Sequence, residues 1–337
     1  MRFARPVVVA LAENSSLVHE DCANQGIGKR ETGPLGRKVK GALHEQGVGS
    51  HCAKVQPYLC CVTWRGLQLA FIAARSGFEA GEANAQWRRW IEAKTGRSFA
   101  RIALEALDQV PAEILAEFYR CEAELNSLKP IQQILGFEYF DGIKFNINSN
   151  VLIPRPETEE LVAEAARRAP HGASVLDLGT GSGCIALALK NRRPDLHVTG
   201  VDSAQEALAV AAQNEAMLKL GVSWCWGDLR QAPPEGLRAE LILSNPPYIT
   251  PDEDLAPEVR DYEPHLALFA PEGDPLYYYR RVLDWAQQLG ALQLGFECHR
   301  TYAADVAQAA VDAGWDAHGS LDQFGAPRWV WAQKSRP

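Results

Sequence analysis

The chain has 337 residues, of which 47% are apolar and 23% charged, so it is long and apolar enough for two domains. This composition excludes a disordered or fibrous protein. Its 34 Lys and Arg against 42 Asp and Glu leave a net charge of -8, the opposite of the basic surface that general nucleic-acid binding requires. No apolar stretch reaches the roughly 20 residues that span a bilayer, so we expect a soluble, cytoplasmic protein without a membrane segment.

Residues 1–61 differ from the rest of the chain. They hold four of the eight cysteines, eight Lys and Arg against five Asp and Glu, and no sustained helical or strand period. We expect an atypical leader here, either disordered or upstream sequence assigned to the protein in error. A basic arm centred on residues 37–40 that touches nucleic acid is the alternative.

The cysteines show neither a CxxC pair nor the Cys/His spacing of a zinc site. We therefore expect free, reduced thiols, no disulfide framework and no metal site. Cys184 and Cys225 are interpreted as packing residues.

The next segment, residues 62–132, has apolar residues at helical spacing, as in Trp87, Trp90 and Ile91. The spacing recurs in Ile102, Leu104 and Leu107, and again, after Pro111 at a first turn, in Ile114, Leu115 and Phe118. It predicts a small helical bundle. In residues 133–153, apolar residues alternate on both sides of Asp141-Gly142, a dipeptide typical of a tight turn, so a β-hairpin linker is expected.

From residue 154 to residue 337, short apolar strands alternate with helices. The strands are predicted at 175–178, 198–201, 222–226, 241–243 and 291–296. The helices are predicted at 157–168, 184–191, 204–220, 276–289 and 302–313, and the third is expected to begin with a capping box of Ser203 and Glu206. This alternation predicts an α/β domain with a mainly parallel, doubly wound sheet of the Rossmann-like kind.

The first predicted strand ends in a glycine-rich loop that runs directly into a helix, so that backbone N–H groups can face a ligand. Its residues are Asp177, Leu178, Gly179, Thr180, Gly181, Ser182 and Gly183. The nicotinamide pattern GxGxxA is met by Gly181, Gly183 and Ala186. Asp202 ends the second strand, where its carboxylate can accept both hydroxyls of a ribose. The loop therefore fits either NAD or S-adenosylmethionine.

Two further acids bear on this choice. Asp177 stands just before the glycines, near the ligand's polar end, where it would repel a pyrophosphate and attract an amino-acid ammonium. Asp228 follows the third strand and is placed to accept a hydrogen bond from an adenine amino group, while Leu229 can form a wall for the ring. Asp177 therefore favours S-adenosylmethionine, which carries that ammonium, whereas an adenine is present in both candidate cofactors.

The sequence Ser244-Asn245-Pro246-Pro247-Tyr248 follows the fourth strand. The prolines constrain the backbone, so the side-chain oxygen of Asn245 and the carbonyl of Pro246 can both accept hydrogens from one NH2 group. Tyr248 is expected to stack on the planar group that carries this nitrogen. Because an amide or aromatic amine nitrogen is weakly nucleophilic, accepting both hydrogens pushes electron density onto it. Asn245, Pro246, Pro247 and Tyr248 are therefore the predicted catalytic and substrate-binding residues, and Asn245 is also a predicted cofactor-binding residue.

Residues 177–183 and 245–248 together resemble the class I S-adenosylmethionine-dependent amino-methyltransferases. The sequence 152–159, Leu-Ile-Pro-Arg-Pro-Glu-Thr-Glu, and Gln133-Ile-Leu-Gly136 are similar to the signature of the release factor glutamine methyltransferases. The resemblance covers about residues 62–333. It implies a helical substrate-recognition domain (62–132), a hairpin linker (133–153) and a methyltransferase domain (154–337).

The family implies a role for each matching position. Gly179, Thr180, Gly181, Ser182, Gly183 and Asp202 would hold S-adenosylmethionine, Leu229 would contact its adenine, and residues 245–248 would clamp a glutamine of a peptide chain release factor. Residues after the clamp also match: Glu258, 262–264, 267–268 and, less specifically, Asp322, Gly325 and Arg328. The chain departs from the family at Asp274-Pro275, at 298–300 (Cys-His-Arg) and in residues 1–61. None of these departures is expected to touch the transfer site.

The resemblance implies one in-line displacement with no Cys or His nucleophile and no base before attack. The expected partner is a peptide chain release factor, with no direct nucleic-acid partner. A ribosomal-protein glutamine methyltransferase, an adenine-N6 nucleic-acid methyltransferase and a non-catalytic binding module remain as alternatives. The sequence does not indicate which release factor is preferred or which oligomer forms.

Overall fold

The computed structural model describes residues 62–271 and 273–334, and the chain divides into two compact units, Met1–Ile134 and Leu135–Pro337. The predicted leader, with its basic arm and four cysteines, lies outside the described residues. The hairpin region falls in the second unit. The proposed domain bounds at 132 and 153 stay predictions.

The described part of the first unit is helical. Its helices are α1 (Trp64–Ala74), α2 (Ala80–Thr95), α3 (Phe99–Leu104), α4 (Ala112–Leu125) and α5 (Ile131–Leu135), the last reaching one residue past the unit boundary. The apolar spacing buries an aromatic core in which Phe71, Trp87 and Trp90 lie with ring centroids 5.5 to 6.0 Å apart. The predicted helices are thus confirmed. Leu104 and Leu107 are 85% and 78% exposed, however, because α3 ends at Leu104 and buries only Ile102.

Arg75 is a buried residue that hydrogen-bonds to backbone carbonyls within this unit. Its side chain is 1% exposed, and its guanidinium donates to the carbonyl oxygens of Leu125 (3.2 Å), Ser127 (2.8 Å) and Lys129 (2.9 Å). The last carbonyls of a helix have no partner within it, so Arg75 satisfies the end of α4 and the turn that follows.

The second unit begins with a hairpin of β1 (Phe137–Phe140) and β2 (Ile143–Asn146). The strands pair antiparallel, with Phe140 opposite Ile143. Asp141 and Gly142 have φ of 53° and 73°, the left-handed conformation that a two-residue hairpin turn needs at both positions. The predicted hairpin is confirmed.

A seven-stranded sheet forms the centre of the second unit. Its strands are β3 (Ser174–Leu178), β4 (His197–Asp202), β5 (Ser223–Trp226), β6 (Leu241–Ser244), β7 (Gln293–Glu297), β8 (Asp316–Leu321) and β9 (Pro327–Gln333). They lie in the order β5-β4-β3-β6-β7-β9-β8. The first five are parallel, whereas β9 is antiparallel to both β7 and β8. The predicted parallel strands are confirmed within two residues, and β8 and β9 were not predicted.

Helices cover this sheet. They are α6 (Thr158–Arg168), α7 (Cys184–Arg192), α8 (Gln205–Leu218), α9 (Pro257–Arg260), α10 (His265–Leu268), α11 (Tyr277–Leu289) and α12 (Ala303–Asp312). The predicted capping box is wrong: the N-cap of α8 is Ala204, whose N–H donates to Asp202 Oδ1 at 2.9 Å. Asp202 thus accepts the N–H of the N-cap residue itself, and no side chain caps the first turn of α8. Within the described ranges, no helix is both long and apolar enough to cross a membrane.

The strand order reverses beside β3, because the chain adds β4 and β5 on one side and then returns to place β6 on the other. At such a point the connections that follow the neighbouring strands run to opposite sides and leave a crevice outside the carboxyl ends, where open α/β sheets bind their ligands. The glycine-rich loop after β3 and the Asn-Pro-Pro-Tyr sequence after β6 both lie at this edge.

Candidate active site

A cleft lies at the switch point and encloses about 890 Å³, measured out to its open mouth. Residues of the predicted site that line it are Gly179, Gly181, Asp202, Asp228, Leu229, Asn245 and Pro247. It is also lined by Asn150, Val151, Leu152, Pro264, Leu266, Ala267 and Tyr278, which the sequence analysis did not assign to the site.

The glycine-rich loop separates into residues that face the cleft and residues that support it. Gly179 and Gly181 line the cleft with φ of 77° and 55°. Gly183 is buried and begins α7, and a Cβ there would meet the Trp224 ring at 2.7 Å. Thr180 and Ser182 are 4% and 2% exposed and lie outside the lining. Close packing therefore accounts for Gly183, whereas Gly179 and Gly181 allow a ligand to approach the backbone.

Asp177 lies behind the loop and not on the cleft surface. It is 1% exposed, and its Oδ2 accepts hydrogen bonds from the Thr180 hydroxyl (2.5 Å) and the Ala186 N–H (3.2 Å). Burial raises the pKa of this carboxyl to about 7, against the opposing effect of the two hydrogen bonds. Its Oδ1 accepts no hydrogen bond from the described residues. Asp177 thus holds the loop to α7 and keeps one buried acceptor atom without a partner.

Asp202 ends β4 and lines the cleft. Its Oδ2 accepts from the Gly181 N–H and its Oδ1 from the Ala204 N–H, both at 2.9 Å. A carboxylate oxygen accepts more than one hydrogen bond, so this geometry leaves room for the two hydroxyls of a ribose. Burial raises the pKa of Asp202, and the backbone hydrogen bonds oppose that shift.

Asp228 follows β5 and also lines the cleft. Its two oxygens face the Arg230 guanidinium, with the Nε 3.0 Å from each of them, and this contact lowers the pKa of the carboxyl. Arg230 was not predicted, and nothing in the sequence spacing indicated it. Leu229 lines the cleft beside Asp228, and its carbonyl oxygen accepts from Arg281 Nε at 2.8 Å.

The Asn-Pro-Pro-Tyr sequence begins where β6 ends. The Ser244 hydroxyl donates to the Leu178 carbonyl at 2.7 Å and ties the ends of β6 and β3 together. Asn245 and Pro247 line the cleft, whereas Pro246 is buried. Tyr248 packs against the core cluster of β6, β7 and α11 and is outside the lining. Its predicted stacking on a substrate stays a prediction.

One departure from the family lies against this clamp. The His299 ring centroid is 5.7 Å from that of Tyr248, and His299 Nε2 is 3.7 Å from Glu253 Oε1. His299 therefore contacts one of the predicted clamp residues, but Tyr248 is outside the cleft lining, so the expectation that none of the departures touches the transfer site stays a prediction. The residue order alone gave no indication that the chain after β7 turns back onto the tyrosine.

A buried carboxylate at the end of β7 was also missed. Glu297 is 3% exposed, and the Thr158 hydroxyl donates to its Oε2 at 2.6 Å. Burial raises the pKa of Glu297 to about 7. The sequence feature that could have identified Glu297 was its position at the end of β7, the strand beside β6.

The described cysteines, Cys121, Cys184, Cys225 and Cys298, are free. Burial raises the pKa of the Cys184 thiol to about 12, so this thiol stays protonated near neutral pH. Among residues 62–271 and 273–334 no cluster of three or more His, Cys, Asp or Glu could hold a metal ion.

A parallel sheet with a glycine-rich loop, an acid at the end of the next strand and Asn-Pro-Pro-Tyr at the switch point defines a class I S-adenosylmethionine-dependent methyltransferase. The family described as "Methyltransferase small domain" matches residues 157–259. The chain is 38% identical over 216 residues to the release factor glutamine methyltransferase of Bacteroides thetaiotaomicron, covering 62% of this chain and 78% of that relative. The chain belongs to the release factor glutamine methyltransferase family.

A second sequence relative has the same description. The chain is 47% identical over 187 residues to the release factor glutamine methyltransferase of Cereibacter sphaeroides, covering 54% of this chain and 66% of the relative. A solved structure of a release-factor-specific protein-(glutamine-N5) methyltransferase from Alicyclobacillus acidocaldarius matches with 27% identity and a TM-score of 0.35, covering 57% of this chain and 100% of the other. The resemblance and the fold class expected from the sequence are confirmed. Family membership also decides between the two cofactors that the loop allowed, in favour of S-adenosylmethionine.

Proposed function

We propose that this protein transfers a methyl group from S-adenosylmethionine to the side-chain amide nitrogen of the glutamine in the Gly-Gly-Gln motif of peptide chain release factors. The observation that carries the proposal is the Asn-Pro-Pro-Tyr sequence at the carboxyl end of β6, with Asn245 and Pro247 in the wall of the cleft. Membership of the release factor glutamine methyltransferase family supports the substrate class. The cytoplasmic location stays a prediction.

The residues around the cleft fit the cofactor. Gly179 and Gly181 expose backbone to it, and Asp202 offers carboxylate oxygens for ribose hydroxyls. The buried Oδ1 of Asp177 has no hydrogen-bond partner among the described residues, but Asp177 lies outside the cleft lining, so its attraction for the amino-acid end of the cofactor stays a prediction. Leu229 and Asp228 would contact the adenine on its apolar face and its amino edge. When bound, the cofactor supplies a methyl group on a positively charged sulfur.

The clamp residues would activate the glutamine by orienting it. The Asn245 side-chain oxygen and the Pro246 carbonyl would accept the two amide hydrogens, which turns the nitrogen lone pair toward the methyl group. Both prolines lack an N–H, so no donor competes for these acceptors. A glutamine nitrogen held in line with the methyl group does not have to reach the reactive orientation by chance. Positioning of this kind supplies much of the rate acceleration of a transfer reaction.

Acid–base chemistry has a small part in this proposal. The amide nitrogen becomes acidic once it carries the methyl group, so its proton leaves after transfer and no base is required before attack. Burial raises the pKa of the Tyr248 hydroxyl, which therefore stays protonated near the clamp. Burial also raises the pKa of the Cys184 thiol, so Cys184 does not form a nucleophilic thiolate near neutral pH.

The test is methyl transfer from labelled S-adenosylmethionine to purified release factor. The matched control is a release factor in which the glutamine of Gly-Gly-Gln is replaced by alanine, assayed beside ribosomal protein and DNA. We expect label on the wild-type factor alone. Label on ribosomal protein or DNA instead would move the protein to one of the alternative substrate classes, and no label on any acceptor would favour a non-catalytic binding module.

A further inference from the structure

The signature segment 152–159 has no role in the proposed chemistry, although it is one of the two segments with a specific resemblance to the family. In the structure this segment is held by two buried carboxylates that come from distant parts of the second unit. Glu263 Oε2 accepts the Ile153 N–H at 3.1 Å, and the Arg155 guanidinium forms an ion pair with the other oxygen of Glu263. Further along the segment, the Thr158 hydroxyl donates to Glu297.

Glu263 is the more consequential of the two carboxylates. Its side chain is 1% exposed, whereas the side chain of Arg155 is 35% exposed. A buried carboxylate is unfavourable unless it is paired and hydrogen-bonded. The Ile153 N–H and the Arg155 guanidinium supply both kinds of partner, so Glu263 keeps its place only while the signature segment lies against it.

Neither Glu263 nor Ile153 lines the cleft, but each directly adjoins a residue that does. Asn150, Val151 and Leu152 form one part of the lining, and Leu152 directly precedes Ile153. Pro264, Leu266 and Ala267 form another part, and Pro264 directly follows Glu263. A single carboxylate therefore joins two parts of the cleft wall that are more than 100 residues apart in the chain.

We propose that Glu263 is a positioning residue, which holds the wall at 150–152 against the wall at 264–267 and so shapes the cleft before a ligand binds. The signature segment contributes by binding Glu263 through the Ile153 N–H and the Arg155 guanidinium. The consequence for methyl transfer rests on the proposed function, whereas the consequence for the shape of the cleft does not.

The test measures the cleft directly in the full chain. Affinity for S-adenosylhomocysteine is measured by calorimetry, and hydrogen exchange of the peptide containing Ile153 is measured in the ligand-free protein. Glu263→Gln keeps an acceptor for Ile153 but removes the charge, and Glu263→Ala removes both. We expect the dissociation constant to rise about tenfold in Glu263→Gln and further in Glu263→Ala. Exchange at Ile153 should rise in the same order.

Asp195→Asn is the matched control. Asp195 also accepts one backbone N–H, that of Gly172 at 3.0 Å, and pairs with an arginine, Arg193. It lies at the opposite edge of the sheet, just before β4 begins. This variant should lower the melting temperature and leave the dissociation constant for S-adenosylhomocysteine unchanged.

Two results would overturn the proposal. One is Glu263→Gln with a lowered melting temperature and wild-type affinity, the behaviour expected of the control. The other is unchanged exchange at Ile153 in a folded Glu263→Ala protein. If Glu263→Ala does not fold, Arg155→Lys takes its place, because lysine keeps the charge but not the guanidinium geometry. The proposal expects Arg155→Lys to lose affinity for S-adenosylhomocysteine, and wild-type affinity of this variant would also overturn the proposal. Failure of the wild-type enzyme to methylate a release factor would refute the proposed function without changing these binding results.

Discussion

Replacing Gly183 by alanine should destabilise the second unit, whereas replacing Gly181 should mainly weaken cofactor binding. Both glycines have positive φ, 80° and 55°, so alanine is strained by about 1 kcal/mol at either site. The surroundings differ: a Cβ on Gly183 would lie 2.7 Å from the Trp224 ring, whereas a Cβ on Gly181 would meet nothing within 4 Å. Overpacking of this kind adds about 1 to 3 kcal/mol.

The total for Gly183→Ala is therefore about 2 to 4 kcal/mol, and about 1 kcal/mol for Gly181→Ala. In a unit of this size, each kcal/mol lowers the melting temperature by roughly 2 to 4 °C. We expect a fall of roughly 5 to 15 °C for Gly183→Ala and only a few degrees for Gly181→Ala. Gly181 lines the cleft, so its added methyl group should instead reduce affinity for S-adenosylhomocysteine.

Thermal unfolding and calorimetric titration of both variants separate the two effects. Trp224→Leu removes the ring that the new methyl group would meet, so in that background Gly183→Ala should be milder. Equal melting temperatures for the Gly181 and Gly183 variants would refute the reasoning. So would a Gly183→Ala protein that keeps its stability and loses only affinity, because Gly183 would then face the ligand.

Three further variants test other parts of the structure. Asn245→Ala should lower the turnover number by about 100-fold or more, as removal of one oriented hydrogen-bonding group does in other enzymes. Its affinity for S-adenosylhomocysteine should change little. Unchanged turnover in initial-rate assays would contradict the role of Asn245 in the clamp. Glu297 has its pKa raised from 4.5 to about 7, so the folded state holds its proton where the unfolded state has lost it, and stability should fall as pH rises from about 4.5 to 7. Urea unfolding should show this fall flattened in Glu297→Gln, and an identical pH dependence in both proteins would contradict the burial effect. Arg75→Met leaves the carbonyls of Leu125, Ser127 and Lys129 without their donor. The free energy of unfolding of the first unit, followed by circular dichroism, should therefore fall by about 3 kcal/mol or more. A smaller loss would mean that water replaces the guanidinium as donor.

The sequence predicted the parallel part of the sheet well because its strands are short and almost fully buried. β6, for example, is buried at each of its four positions, and the helices between such strands have their own period. β8 was missed for the opposite reason. It lies at the edge of the sheet, its residues Asp316–Leu321 are exposed or half-exposed throughout, and they follow neither an apolar run nor an alternation.

The site was predicted at the right edge of the sheet but with less detail inside the loop. Spacing placed residues 177–183 at the end of β3 and in the loop that follows, yet it could not say which of them face the ligand, because three positive-φ glycines remove any regular period. Thr180 and Gly183 are consequently supports for the loop, whereas Gly179 and Gly181 line the cleft. The role of Glu263 was beyond reach for a different reason: its partners lie more than 100 residues away, and nothing local in the chain specifies that pairing.

The acids of this site share a function that precedes any chemistry. Asp177 accepts the Ala186 N–H, Asp202 accepts those of Gly181 and Ala204, and Glu263 accepts that of Ile153. Each bond fixes a piece of loop backbone, and of these three acids only Asp202 also lines the cleft. Backbone N–H groups outside the sheet and at helix starts lack a ladder partner, so carboxylates accept them: Asp177 and Asp202 do so from the ends of β3 and β4, and Glu263 from the segment between α9 and α10. Loss of activity on removing Asp177 or Glu263 should therefore be separated from loss of cleft geometry before either acid is assigned a contact with the cofactor.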